Sequence, residues 1–135
     1  MIAVDTSVVV AGFASWHELH DDARRVLDQR PRLPAPCAFE VYSVLTRLPA
    51  PHRVAAEAAR DFLADRFSNE LLSLPAASQR ALVLGLAGAG ISGGAAYDAL
   101  VARTVAEAGA MLTTCDRRAR TTYDRVGVEY DVLGG

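Results

Sequence analysis

The sequence contains no lysine; all fourteen of its basic residues are arginine. That absence removes several chemistries at once. A phosphate-loop lysine, a Schiff-base lysine and the lysine that partners a phospho-aspartate have no place here. Cysteine is scarce as well. Cys37 and Cys115 have neither metal-ligand nor redox spacing and lie in apolar context, so they read as small buried thiols of an intracellular protein. Long apolar runs are missing: the longest, residues 81–91, spans eleven positions and is broken by glycines. A bilayer crossing needs about 20, so no membrane association is expected. The chain reaches Asp5 without a basic leader or an apolar signal core, which points to a cytoplasmic location.

The 135 residues, 51% hydrophobic and 22% charged, suit one globular domain spanning 1–135. The formal charge of −2 argues against a generic polyanion binder. If four of the sixteen acids were neutralised by a metal, however, the other twelve would face fourteen arginines, a balance of +2. Arginine is also the better bidentate partner for phosphate, so nucleic acid stays open as a substrate.

Hydrophobic periodicity divides the chain into alternating elements. Residues 2–4 form a short buried strand, and 6–14 and 18–29 form helices, the second with a stripe at Leu19, Ala23, Val26 and Leu27. The proline-rich stretch 31–36 is a breaker with room for a short strand around Leu33 and Ala35. Helices follow at 38–48, closed by Pro49 and Pro51, and at 52–67, then a strand at 71–74 and a helix at 76–86. Beyond a glycine-rich connection at 88–94, a helix covers 95–108, a strand 110–113, a helix 116–126 and a last strand 128–132. Strands alternating with helices predict a three-layer α/β/α domain around a short central parallel sheet.

Four carboxylates interrupt otherwise apolar segments: Asp5 and Asp116 directly after strands, Glu40 and Asp98 within helices. An acid beside apolar surface is costly unless paired or metal-bound. Ligands bind outside the carboxyl ends of parallel strands, which puts Asp5 and Asp116 on one edge. At about 100° per residue, Asp98 shares a face with Val101, Ala102 and Val105, and Glu40 flanks the stripe of Val41, Val44, Leu45 and Leu48. Converging, the four would offer oxygen ligands to a hard cation such as Mg²⁺. Each also has a structural alternative: Asp5 and Asp116 as helix N-caps, Asp98 as the partner of a buried Arg such as Arg47. Asp124 could be a peripheral fifth acid, with a surface role favoured. His17, His20 and His52 lack the spacing of a zinc protease and read as surface polarity.

Asp5-Thr6-Ser7, Glu40 in its apolar helix, 97–102 with Asp98, and 112–116 ending in Asp116 resemble, in order and spacing, the PIN-domain nucleases. Among these the chain looks most like the VapC-type toxins of bacterial toxin–antitoxin pairs. The resemblance spans the whole chain, and its specificity lies in the ordered set of four motifs. It implies Mg²⁺- or Mn²⁺-dependent endonucleolytic cleavage of RNA by metal-activated water, a cognate antitoxin protein as inhibitor, and a homodimer. By that carry-over Asp5, Asp98 and Asp116 hold metal, and Glu40 is a ligand, a water-mediated ligand or a base. Thr114 matches the family's hydroxyl residue before the last acid, Thr6 helps to order Asp5, both with Arg117 are expected to bind substrate, and Arg118 is a further phosphate contact. The apolar side of the 52–67 helix, Ala55, Ala59, Phe62 and Leu63, is expected partly to face a second copy.

Two other readings compete. Residues 88–93 match G-x-G-x-x-G, but the preceding segment is helical in period, too little chain follows, and Asp5, Glu40 and Asp98 stay unexplained. A module of the same fold that binds RNA or protein without cutting is the non-enzymatic alternative.

Overall fold

The computed structural model describes residues 1–135. Three short strands, β1 (Ile2–Val4), β2 (Met111–Thr114) and β3 (Tyr130–Val132), form a parallel sheet in the order β1-β2-β3. The register pairs Ala3 with Leu112 and Thr113 with Asp131. Seven helices pack around the sheet: α1 (Thr6–Phe13), α2 (His20–Asp28), α3 (Ala35–Thr46), α4 (Ala56–Arg66), α5 (Ala76–Gly85), α6 (Ala95–Glu107) and α7 (Arg120–Val126). A 3-10 turn, Arg117–Ala119, precedes α7. The result is the expected three-layer α/β/α arrangement. No helix is long and apolar enough to cross a membrane.

The layers meet in one cluster that includes Val4, Val8, Leu27, Leu33, Val41, Leu45, Val105, Leu112 and Tyr123. β1 and β2 are apolar because helices cover both faces of a parallel sheet. The predicted stripe of α2 is present, with Ala23 and Leu27 fully buried and Val26 beside them. Gly12 of α1 lies against the Leu27 side chain, where an added Cβ would overlap it.

Several boundaries differ from expectation, and prolines explain most of them. The strands foreseen around Leu33 and at 71–74 shrink to isolated parallel bridges, Ala3 with Arg32 and Pro34 with Leu72. Pro31, Pro34 and Pro36 bring no N–H to a ladder, so pairing cannot extend. The helix expected from residue 38 starts at Ala35 instead. Its first turn accepts Pro36, because N–H groups there have no helical partner anyway. α4 starts at Ala56 rather than 52, since the preceding segment turns back to bond its Val54 N–H to the Leu45 carbonyl at 3.0 Å.

The α4 face foreseen as partly intermolecular belongs mostly to the fold. Ala59 is fully buried, Leu63 packs on the core, and the Phe62 ring meets Phe13 edge-on at 5.0 Å. Large exposed apolar side chains lie elsewhere, at Phe39, Tyr42, Val83, Leu84 and Tyr97.

Candidate active site

Asp5 leaves the end of β1 and caps α1. Its Oδ1 accepts the Ser7 amide at 3.1 Å and the Ser7 hydroxyl, and its Oδ2 accepts the Tyr123 hydroxyl at 2.8 Å. The residue is 6% exposed. Burial raises the carboxyl's pKa, against the lowering effect of the Ser7, Thr114 and Tyr123 hydroxyls and the Val8 amide.

Beyond the end of β2, Asp116 caps the 3-10 turn, its Oδ1 accepting the Arg118 amide at 3.0 Å. The Arg118 guanidinium stands 3.4 Å away and is almost fully exposed. The two caps weighed as alternatives are therefore both present, and they orient the same acids toward one edge of the sheet.

A chain of hydroxyls joins the two. The Asp116 amide donates to Thr114 Oγ1 at 3.0 Å, Thr114 Oγ1 lies 3.2 Å from Ser7 Oγ, and Ser7 Oγ also accepts the Cys115 amide at 2.8 Å. Each hydroxyl carries one proton. Ser7 gives its own to Asp5, so the Thr114 hydroxyl donates to Ser7. The direction of the chain is fixed from Asp116 N–H through Thr114 and Ser7 to Asp5.

Asp98 lies in the first turn of α6, where the free N–H groups of the helix favour negative charge. It is half-buried at the edge of the apolar stripe rather than within it. Its pKa is pushed up to about 6, by burial first and then by the negative charges of Asp116, Asp5 and Glu40, with Arg118 opposing. Three acids from distant parts of the chain thus act on Asp98. Glu40 is exposed on α3 and shares with Asp98 an open cleft of about 420 Å³, lined also by Phe39, Ser43 and Tyr97.

The structure also places the remaining residues weighed from the sequence. Thr114 is fully buried and its hydroxyl is committed to Ser7 and Asp116, so it holds the acids rather than reaching a substrate. Thr6 Oγ1 has no hydrogen-bond partner; Ser7, one residue on, orders Asp5. Arg117 donates to the Gly134 carbonyl at 2.8 Å, leaving Arg118 as the guanidinium beside the acids. Asp124 is remote in role, accepting the Tyr130 hydroxyl at 2.7 Å on the surface. Arg47 bonds Ser43 rather than Asp98. His20 meets the Ala11 carbonyl and His52 stacks on Trp16, so neither joins the cluster. The glycines at 88–93 follow helix α5, not a strand, which removes the dinucleotide turn.

Ser7 and Tyr123 were not foreseen as site residues. Ser7 had a signal in the Asp-Thr-Ser triplet, since a hydroxyl two residues after a helix-capping acid can bond it. Tyr123 had none beyond its place in an apolar pattern. The thiols flanking the site are held protonated, Cys37 pushed up to about 12 and Cys115 to about 11, by burial and then by Asp5.

No three His, Cys, Asp or Glu side chains stand close enough to enclose an ion. The candidate donors are all carboxylates, two of them, Glu40 and Asp98, on the wall of an open cleft. That set suits a hard cation which keeps much of its water shell and takes one or two carboxylates, as Mg²⁺ and Mn²⁺ do, and it does not suit a closed cage.

Comparison with known proteins adds a family. The PIN domain model matches residues 2–125. Ribonuclease VapC40 of Mycobacterium tuberculosis is 53% identical over 133 residues, which cover 98% of this chain and 99% of the relative. Ribonuclease VapC27 of the same species is 43% identical over 130 residues, covering 94% and 93%. The crystal structure of FitAcB from Neisseria gonorrhoeae matches with a TM-score of 0.70 over 96% of both chains, at 18% identity, a likeness of fold.

Proposed function

This chain belongs to the PIN domain family, and on that premise we propose that it is a divalent-metal-dependent endoribonuclease, the toxin of a toxin–antitoxin pair. Two relatives bear the name ribonuclease over nearly the full length of this chain. The observation that carries the reading is Asp98, half-buried on the cleft wall beside Glu40 and acted on by the negative charges of Asp116, Asp5 and Glu40.

Of Asp5, Asp98 and Asp116, one or two would bind Mg²⁺ or Mn²⁺ directly and the rest through its water shell, with Glu40 as ligand, water-mediated ligand or base. Such a cation lowers the pKa of bound water and offsets charge on the phosphate. The chain's own groups do the rest. Ser7, Thr114 and Tyr123 keep Asp5 and Asp116 in place. Arg118, exposed beside Asp116, is positioned for a phosphate oxygen. Phe39 and Tyr97 on the cleft rim offer ring faces to unpaired bases. Partners follow from the same reading: an RNA substrate, an antitoxin whose peptide covers the acids, and a second copy of the chain in a homodimer.

Purified protein with Mn²⁺ and structured RNA tests this. Water attack on phosphorus leaves 5′-phosphate and 3′-hydroxyl ends, and Asp98→Asn abolishes cutting. Cyclic 2′,3′-phosphate ends, or cutting that survives EDTA, overturn the mechanism. Binding without any cutting supports the interaction module instead.

A further inference from the structure

We infer that Tyr123 is a positioning residue that confines Asp5 to one open acceptor site, on Oδ2, and so biases the site toward a small octahedral cation. The inference rests on the metal reading above and adds a residue to it.

An ionised carboxylate offers about four lone-pair sites. Two on Oδ1 are taken by the Ser7 amide and hydroxyl, and one on Oδ2 by the Tyr123 hydroxyl at 2.8 Å. With Oδ1 filled by Ser7, Asp5 can reach a cation through Oδ2 only, and the Tyr123 bond leaves that oxygen one open direction. Mg²⁺ demands near-ideal octahedral geometry at short distances, whereas the larger Ca²⁺ accepts bidentate carboxylates in flexible geometries. Holding Oδ2 to one direction therefore favours the smaller ion, whose geometry is the more exacting.

Tyr123 is built to hold this bond. It is 1% exposed and belongs to the core cluster. Its ring packs edge-on against Tyr130 with centroids 5.7 Å apart. Tyr130 in turn is tethered through its hydroxyl to Asp124 on the same helix as Tyr123. The ring cannot swing aside without opening the core, which makes the direction of the Oδ2 bond a property of the fold.

Calorimetric titration of Mn²⁺ and Ca²⁺ into wild type, Tyr123→Phe, Asp5→Asn and the double variant tests the role without relying on activity. Loss of a group that orients a ligand typically weakens metal binding by about 10- to 100-fold. Tyr123→Phe should therefore weaken Mn²⁺ by at least about tenfold and Ca²⁺ by less, lowering the preference for Mn²⁺. In the Asp5→Asn background the same substitution should change nothing. Mn²⁺ binding by Tyr123→Phe equal to wild type overturns the inference, as does an undiminished loss in the Asp5→Asn background. If Tyr123→Phe alone fails to fold, the two Asp5→Asn proteins, which carry no buried charge at position 5, still decide. Wild type that binds no Mn²⁺ refutes the metal reading itself, whereas wild type that binds alongside an unaffected Tyr123→Phe refutes only the part given to Tyr123.

Discussion

Asp98 is pushed by burial and by three other carboxylates, and the sign of the effect on stability can be worked out. An ordinary aspartate titrates near 3.8, and here the folded state pushes it up to about 6. A raised acid pKa means that the native state binds its proton more tightly than the unfolded state does. The native state is then penalised as pH rises from about 4 to about 6, and the full penalty persists above that range. Asp98→Asn should melt higher than wild type at pH 7.5 without metal, with the advantage fading below pH 4. Wild type should gain stability on adding Mn²⁺ through selective binding to the native state, and the variant should lose most of that gain. Thermal melts across pH, with and without Mn²⁺, check both parts; an undiminished Mn²⁺ response in the variant takes Asp98 out of the site. Ser7 allows a second prediction. Ser7→Ala leaves Oδ1 of Asp5 with one donor and strips Thr114 and the Cys115 amide of their acceptor. It should cost about 1–3 kcal/mol of folding stability by urea denaturation and weaken Mn²⁺ binding as well.

At the scale of elements, α1 deserves a test because it starts at Asp5 and rests on α2 through Gly12. A methyl at position 12 collides with Leu27, which is fully buried and has nowhere to move. Gly12→Ala should destabilise the protein by about 1–2 kcal/mol, overpacking outweighing the roughly 1 kcal/mol of helix propensity that alanine adds. Urea midpoints at constant slope read this directly. The elements also show what a sequence makes legible. β1, β2 and α6 were readable because apolar runs and a 3.6-residue period depend only on neighbours along the chain. Asp5 and Asp116 were readable because parallel strands share an edge. The bridges at Pro34 and Leu72 were overread as strands, since apolar composition says nothing about which N–H groups find partners. Tyr123 was illegible for a different reason. It bonds Asp5 across 118 positions, and nothing local distinguishes a tyrosine that meets a carboxylate from one that fills the core.

For the whole molecule, the proposed dimer and its inhibitor are open to measurement. Sedimentation velocity at micromolar concentration should give a species of twice the 14.4 kDa chain mass; a persistent monomer removes the dimer from the proposal. The antitoxin peptide should bring an arginine to the acids, flanked by apolar anchors, because a guanidinium pairs with carboxylates where a cation otherwise sits. Inhibition of RNA cutting should weaken as Mn²⁺ is raised and when that arginine is replaced by alanine. Inhibition indifferent to both would locate control away from the four acids.

The parallel pairing of β1 with β2 has a consequence in time. Ile2, Ala3 and Val4 are made more than a hundred residues before their partners Met111, Leu112 and Thr113. Asp116 and Tyr123 come later still. Until that last stretch has emerged, Asp5 has neither its strand partner nor its tyrosine, and Asp98 lacks Asp116. A growing chain therefore carries three of the four acids without a working arrangement of them. The arrangement proposed for the four acids can therefore form only after residues 111–123 have been made.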